Sequence, residues 1–254
     1  MNTNLLLLIL AGSVVGAASG YLGSFMVIKR MSLVGDALSH VALPGIAIAL
    51  LFGINPMLGA LVSLMAAVLG IWYLEEKSEI YPEALVGIFF TASLAIGILI
   101  TPEPELLEAL FGNIENITIF DGVIIGLSGI LIFSLTRFIS KKLLLGVVSE
   151  DLAISSGINI SKINLIYLAL VGLVVALGVK FLGTLLTGAL VIIPAVTAKN
   201  IAKSINSFHL YSIFLGILSV VLGILLSVAV NIPSGPAVVL VSIAFFIASF
   251  LFRL

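Results

Sequence analysis

Cysteine is absent from this 254-residue sequence, and charged residues are scarce: Asp, Glu, Lys and Arg make up 9% of the chain, against 61% hydrophobic residues. Without cysteine, the protein forms neither disulfides nor thiolate metal sites. With a mean hydropathy of +1.37, it has too little polar surface to cover a water-soluble globule. The formal net charge of −1 gives no indication of nucleic-acid binding. We therefore expect an integral protein of the cell membrane, embedded in the lipid bilayer.

The few charges are confined to short stretches between long apolar runs. Lys29 is the first charged residue, and the stretch between Lys203 and Arg253 contains no acid or base other than His209. Barrel strands would alternate apolar and polar residues, which these runs do not. We therefore predict an all-α polytopic helix bundle that forms one transmembrane domain over residues 1–254. The predicted segments run approximately 4–28, 36–54, 56–74, 83–101, 119–138, 162–179, 182–198, 207–230 and 236–252. Segment 182–198 is either a full span or a short or broken helix, which gives eight or nine spans.

Positive charges are distributed unevenly if all nine segments cross and the N-terminus lies outside. Every lysine and arginine except Lys180 is then cytoplasmic, as the positive-inside rule requires. The acidic connection over residues 102–120 then lies outside. We therefore predict an external N-terminus and a cytoplasmic C-terminus.

Several motifs of catalysis and nucleotide binding are missing. The sequence contains no GxxxxGK[ST] loop for a nucleotide, no HExxH helix and no GxSxG nucleophile turn, so neither ATP binding nor these hydrolase mechanisms are indicated. One of the only two histidines, His209, lies near a predicted membrane edge beside the polar stretch KSINSF. An intramembrane hydrolase is therefore unsupported, and we expect a protein that is not itself an enzyme.

Three unusual residues stand near the start of the second segment, in MSLVGDALSHVALPG. Asp36 and His40 are four residues apart, so in a helix their side chains share a face and can converge on one ion or on each other. Pro44 has no N–H and leaves the carbonyl of His40 without its helical partner. A carboxylate with a neutral imidazole suits zinc, manganese or ferrous iron. Ionisable residues within a span usually mark transport routes.

Two interpretations of this stretch remain open. In the functional one, Asp36 and His40 are metal ligands, and two chains related by a two-fold axis would supply two carboxylates and two imidazoles. Pro44 and Gly45, together with Pro194 in a later segment, then break helices along a translocation path. In the structural one, Asp36 caps a helix that begins next to it, and His40 is a buried histidine that donates to a carbonyl.

Small residues recur at four-residue spacing in the first segment, as Gly12, Gly16 and Gly20. This spacing predicts the close approach of another helix. Gly183 and Gly188 suggest tight packing of the same kind.

The longest predicted cytoplasmic connection runs from about residue 139 to residue 161. Its core, EDLAISSGI, predicts a short helix with Glu150 and Asp151 at the N-terminal end and Gly157 at the C-terminal end. The helix is either a solvated part of the loop or a docking element for a partner.

Several regions, in order, resemble the membrane permeases of zinc, manganese and iron ABC transporters. The run VIKRMSLVGDALSHVALPGIAIALLFGINP resembles that family's basic turn followed by G-D-x-L-x-H-x-x-L-x-G. The family's external loop is matched by ALFGNI, and its cytoplasmic segment by SEDLAISSGINISKINLIYLAL. The family's GxLLxxALLIIPAAxA run resembles LGTLLTGALVIIPAVTAKNIAKS. NIPSGPAVVLVSIAFF at the C-terminus matches as well, so the resemblance covers nearly the whole chain.

This resemblance implies a homodimeric permease that imports a divalent metal ion as its substrate and binds no stable cofactor. It also implies two copies of a cytoplasmic ATPase, which bind the ATP, and an external protein that delivers the ion. Asp36 and His40 occupy the family's candidate metal-path positions. The segment that matches the coupling element to the ATPase contains Glu150, Asp151, Ala153 and Gly157. The alternative is a secondary carrier, in which Asp36 and His40 relay protons without an ATPase; the motifs do not distinguish zinc from manganese.

Overall fold

A computed structural model of the protein describes residues 3–78, 80–100 and 119–251, and this part of the chain is helical, without strands. Its helices are α1 (Thr3–Ile28), α2 (Ser32–Leu51), α3 (Pro56–Lys77), α4 (Pro82–Ile100), α5 (Ile119–Val148), α6 (Glu150–Ser155), α7 (Ile160–Leu182), α8 (Thr184–Ile201), α9 (Ile205–Val230) and α10 (Ser234–Leu251). Eight of these described helices, all but α6 and α8, are long and apolar enough to cross a membrane. The prediction of an all-α polytopic bundle is confirmed. The acidic connection 102–120, which includes ALFGNI, lies outside the described residues except for its last two, which begin α5.

Local capping interactions account for several helix ends. The side-chain oxygen of Asn55 accepts a hydrogen bond from the N–H of Met57 at 2.9 Å, and α3 begins at the proline between them. Ser149 caps α6 by accepting from the N–H of Leu152 at 3.2 Å. Just past the end of α6, Gly157 has a φ of 75°, a left-handed conformation that glycine adopts without a side-chain clash. The predicted short helix, with acids first and glycine last, is confirmed.

Three helix boundaries differ from the predicted ones. α2 begins at Ser32 and not near residue 36, because the residues before Asp36 continue the helix instead of forming a turn. α5 continues to Val148, so the first part of the predicted connection 139–161 is helical; its lysines favour helix and do not end it. The predicted segment 182–198 corresponds to α8, which begins at Thr184 and ends at Ile201. Gly183 alone joins it to α7, and its φ of 75° and ψ of 171° lie in a region open essentially to glycine.

α1 packs along α9 through the row formed by Gly12, Gly16 and Gly20. A Cβ built on Gly16 would lie 2.6 Å from the carbonyl oxygen of Gly216, and one built on Gly20 would meet the carbonyl of Ser212. Real Cβ atoms do not approach a backbone so closely, so the two backbones are in direct contact. The close approach predicted from the glycine spacing is confirmed.

α2 lies in the interior of the chain, in contact with α3, α4 and α8. Its residues from Leu38 to Ala47 are all buried. Leu38 and Leu43 are completely enclosed and belong to the main hydrophobic core. The middle of the helix that carries the unusual polar residues is therefore enclosed by other helices of the same chain, whereas Leu33 and Leu51 near its ends are exposed.

Candidate functional site

Asp36 and His40 lie one turn apart on the same face of α2. Asp36 is the fifth residue of a helix that starts at Ser32 with no side-chain cap at Met31, so the interpretation of Asp36 as an N-cap is wrong. Asp36 is partly exposed, whereas His40 is only 9% exposed. The pair therefore runs from a partly accessible carboxylate to a buried imidazole.

The imidazole of His40 is enclosed by apolar groups and has an unused nitrogen. Its ring makes an edge contact with the ring of Phe90 in α4, with the centroids 5.3 Å apart and the planes at 65°. The Nδ1 atom is buried and has no hydrogen-bond partner among the described residues. A buried polar atom without a partner costs free energy and calls for an explanation. One explanation is that Nδ1 is the atom that a ligand contacts.

Gly188 allows α8 to cross α2 directly at Asp36. A Cβ on Gly188 would lie 2.8 Å from the backbone nitrogen of Asp36 and 2.9 Å from its Oδ1. Any larger residue would push the two helices apart at this point. The tight packing that the sequence suggested for Gly188 is confirmed, and its neighbour is the candidate ligand itself.

Pro44 lies inside α2, which continues through it. The carbonyl of His40 therefore lacks the N–H that residue 44 would normally donate. One residue further, the hydroxyl of Ser63 in α3 donates to the carbonyl of Val41 at 2.7 Å. Gly45 allows the close contact between α2 and α3 at this point, because a Cβ there would lie 2.6 Å from the Cβ of Ser63.

The sequence did not lead us to predict the residues of α3 that contact α2 near Gly45. Gly59 lies against Gly45, and Ser63 follows it by four residues. This small-xxx-small spacing is the signal that could have identified it. Phe90 was missed as well, and no local pattern marks it.

Pro194 lies inside α8 and is buried, six positions after Gly188. It deprives the carbonyl of Leu190 of its helical donor, as Pro44 does for His40. Both helices in contact at Asp36 thus contain a proline about two turns from the crossing, because Pro44 follows Asp36 by eight positions and Pro194 follows Gly188 by six.

The donor set around α2 is small. In the described ranges, no group of three or more His, Asp or Glu side chains is placed to hold a metal ion. Asp36 and His40 supply one carboxylate and one imidazole, which together suit zinc or manganese in preference to magnesium or copper(I). The described part of the chain therefore offers two candidate side-chain ligands at α2, which is too few for a closed structural site.

The short helix α6 presents most of its side chains to solvent. Glu150 and Asp151 are exposed, and so are the apolar Leu152, at 52%, and Ile154, at 59%. Ala153 is the exception, because it is fully buried against the rest of the chain. An exposed helix with both acids and large apolar residues has the character of a docking element.

His209, the second histidine, belongs to a different place. Its Nδ1 lies 2.5 Å from the hydroxyl of Ser24, and its ring stacks on Phe25 at a centroid distance of 4.5 Å. These contacts join α9 to α1 near their shared end. The structure does not bring His209 to the Asp36–His40 pair.

The comparisons with known proteins agree with one another. The model of the ABC 3 transport family matches residues 1–253. The manganese transport system membrane protein MntC of Listeria innocua is 33% identical over 242 residues, which cover 94% of this chain and 86% of that protein. The high-affinity zinc uptake system membrane protein ZnuB of Haemophilus influenzae is 32% identical over 246 residues, covering 95% of this chain and 94% of its own.

A solved structure gives the same answer in three dimensions. PsaBC from Streptococcus pneumoniae, in complex with Fab, matches with a TM-score of 0.85 and 32% sequence identity, over 98% of this chain and 91% of that chain. The similarity therefore includes the order and packing of the helices and is not limited to single motifs. It confirms the resemblance found in the sequence, and the chain belongs to the ABC 3 transport family.

Proposed function

We propose that the chain is the permease subunit of an ATP-driven importer of a divalent transition-metal ion, zinc or manganese. The observation that carries this proposal is the pairing of Asp36 with the buried His40, whose Nδ1 has no partner among the described residues. Carboxylate oxygen and imidazole nitrogen together suit these borderline cations. The named functions of MntC and ZnuB support the same substrate class. The chain is a transport subunit, and ATP hydrolysis is carried out by a partner subunit.

A two-ligand site on one chain suits passage of an ion better than its storage. A structural zinc site takes four protein ligands, whereas a transported ion must also leave. In a homodimer, a second copy brings its own Asp36 and His40 close to the first pair. The carbonyl groups of His40 and Leu190, freed by Pro44 and Pro194, add oxygen acceptors along the path.

Coupling to the ATPase takes place through α6. Its exposed Leu152 and Ile154 enter a groove of the ATP-binding subunit, while Glu150 and Asp151 contact the rim of that groove. Closure of the ATPase then moves α6, and the spans rock to open the path on one side at a time. This arrangement requires the cytoplasmic side predicted for α6, with the N-terminus outside, and a separate external protein that delivers the ion.

Two near-isosteric substitutions test the metal path. Asp36→Asn and His40→Gln keep size and polarity but remove the carboxylate charge and the imidazole ligand. In proteoliposomes that contain the complete complex, we expect metal uptake to fall at least about ten-fold, the size of one lost charge-assisted interaction. Binding of the ATPase subunits should be unchanged.

His209→Asn is the matched control for loss of a histidine. Asparagine retains a polar atom at the position that contacts Ser24, so uptake per assembled complex should remain near the wild-type level. Normal uptake by both Asp36→Asn and His40→Gln would overturn the metal path. Uptake that needs no ATP and no ATPase subunit would instead identify a secondary carrier.

A further inference from the structure

The turn between α1 and α2 holds a lysine that reaches across to α7. The Lys29 ammonium donates to the side-chain oxygen of Asn164 at 2.5 Å and lies 5.4 Å from the centroid of the Tyr167 ring. The hydroxyl of Tyr167 donates to the carbonyl of Leu22 in α1 at 3.0 Å, and Tyr167 is fully buried. We call Lys29, Asn164 and Tyr167 the turn contact.

The turn that carries Lys29 is held by backbone hydrogen bonds to the end of α1. Arg30 adopts a left-handed φ of 60°, which costs a residue other than glycine some strain. The N–H of Met31 donates to the carbonyl of Met26 at 3.0 Å, and the N–H of Val34, already in α2, donates to the carbonyl of Met31 at 3.0 Å. The end of α1 is therefore hydrogen-bonded and leads directly into α2. A displacement of Lys29 is therefore passed on to α2, which carries Asp36 seven residues later.

On the other side, α7 is tied to the short helix α6. The N–H of Ile158 donates to the carbonyl of Ala153 in α6 at 3.0 Å. Asn159 then caps α7 by accepting from the N–H of Lys162 at 2.9 Å. Asn164 and Tyr167 lie in the first turns of the same helix. Hydrogen bonds thus span the four-residue connection between α6 and the helix that carries Asn164 and Tyr167.

A second set of bonds holds the first turn of α7 in place. The indole N–H of Trp72 in α3 donates to the hydroxyl of Ser161 at 2.6 Å, and that hydroxyl donates to Glu76 at 2.5 Å. Burial lowers the pKa of the Lys29 ammonium, while the nearby carboxylates of Glu75 and Glu83 oppose this shift. The ammonium therefore lies near carboxylates of α3 and α4 as well as against Asn164 of α7.

We propose that the turn contact transmits the movement of α6 to α2, so that Lys29 is a positioning residue for the metal path. This inference rests on the proposed function, in which the ATPase moves α6 and the metal passes Asp36 and His40. Lys29 touches neither the ion nor the ATPase. It makes the N-terminal end of α2 move together with the N-terminal end of α7.

Substitutions at the two ends of the contact test this role. Lys29→Met removes the ammonium but keeps a long apolar stem, and Asn164→Leu removes the acceptor at similar volume. In the reconstituted complex, each should lower metal uptake about ten-fold, as loss of a charge-assisted hydrogen bond would. ATPase binding and basal ATP hydrolysis should be unchanged, so more ATP is hydrolysed per ion transported.

Further variants separate transmission from general stability. Lys29→Arg keeps a cation that can donate to Asn164 and stack on Tyr167, and it should restore most of the uptake. The double variant Lys29→Met with Asn164→Leu should be no worse than either single one, because both remove the same contact. Lys162→Met, which removes an exposed lysine two residues from Asn164, is the matched control and should transport normally.

The inference is overturned by normal uptake in Lys29→Met and Asn164→Leu, or by a double variant whose loss equals the product of the single losses. A parallel fall of ATPase binding in Lys29→Met and Lys29→Arg would also overturn it, because the residue would then serve assembly. Absence of ATP-driven uptake in the wild-type complex is a different outcome, which rejects the proposed function itself.

Discussion

The substitution Gly188→Ala is expected to disturb the metal path with little effect on folding. The new Cβ would lie 2.8 Å from the backbone nitrogen of Asp36 and 2.9 Å from its Oδ1, whereas non-bonded heavy atoms pack at about 3.5–4.0 Å. The backbone of α2 cannot rotate away as the end of a side chain can. α2 and α8 must therefore separate by roughly 1 Å, and Asp36 moves with α2.

The expected result is a loss of transport without a loss of the complex. Displacing a positioned group by about 1 Å can reduce the rate about 100-fold in enzymes, so we expect uptake to fall between about ten-fold and 100-fold. Overpacking costs about 1–3 kcal/mol, and alanine in place of a helical glycine returns about 1 kcal/mol. The net cost of about 0–2 kcal/mol should lower the melting temperature of the purified complex by no more than about 8 °C. Uptake of labelled zinc or manganese into proteoliposomes and a melting curve measure both quantities.

Two other glycines provide matched controls. A Cβ added to Gly87 in α4 or to Gly126 in α5 would meet no atom within 4 Å. Gly87→Ala and Gly126→Ala should therefore transport normally. Wild-type uptake by Gly188→Ala at unchanged stability would refute the reasoning, since the crossing would then tolerate a side chain. An equal loss in the controls would refute it as well.

Three further predictions concern packing and helix ends. Gly157→Val should lower metal-stimulated ATP hydrolysis, because a β-branched residue is strained at a φ of 75°; Gly157→Asn should be milder, and equal effects of the two would contradict this explanation. Gly16→Leu should prevent folding, since Gly216 leaves no space; normal yield in detergent would show otherwise. Tyr167→Phe should lower the free energy of unfolding by about 0.5–1.5 kcal/mol through loss of the bond to Leu22. An unchanged denaturation midpoint would exclude that contribution.

Much of the architecture is predictable because it depends on short stretches of chain. Apolar runs of about 20 residues specify membrane helices, whatever the rest of the chain does. The acids in the first turn of a short helix and Gly157 after its end identified α6, because helix ends are satisfied by neighbouring residues. The spacing of Gly12, Gly16 and Gly20 indicated a close helix contact, although it did not identify α9 as the neighbour.

The boundary errors have a physical cause. Polar residues at the border of an apolar run predict a helix end, but in a membrane protein they mark a change of surroundings and do not stop hydrogen bonding along the backbone. α5 therefore continues past Lys141 and Lys142 to Val148. α2 likewise starts before Asp36, which excludes the capping role that the sequence left open.

The sequence by itself determined that the protein is a bundle of membrane helices, that Asp36 and His40 share a face, and that the chain resembles metal permeases. Hydrophobicity and the period of a helix are local properties, and a family motif is read residue by residue. Only the tertiary structure decided that α8 meets Asp36 at Gly188 and that Lys29 reaches Asn164, 135 positions away. These contacts depend on which helices pack together, because in lipid helix association is governed by close fit and interhelical hydrogen bonds between distant parts of the chain.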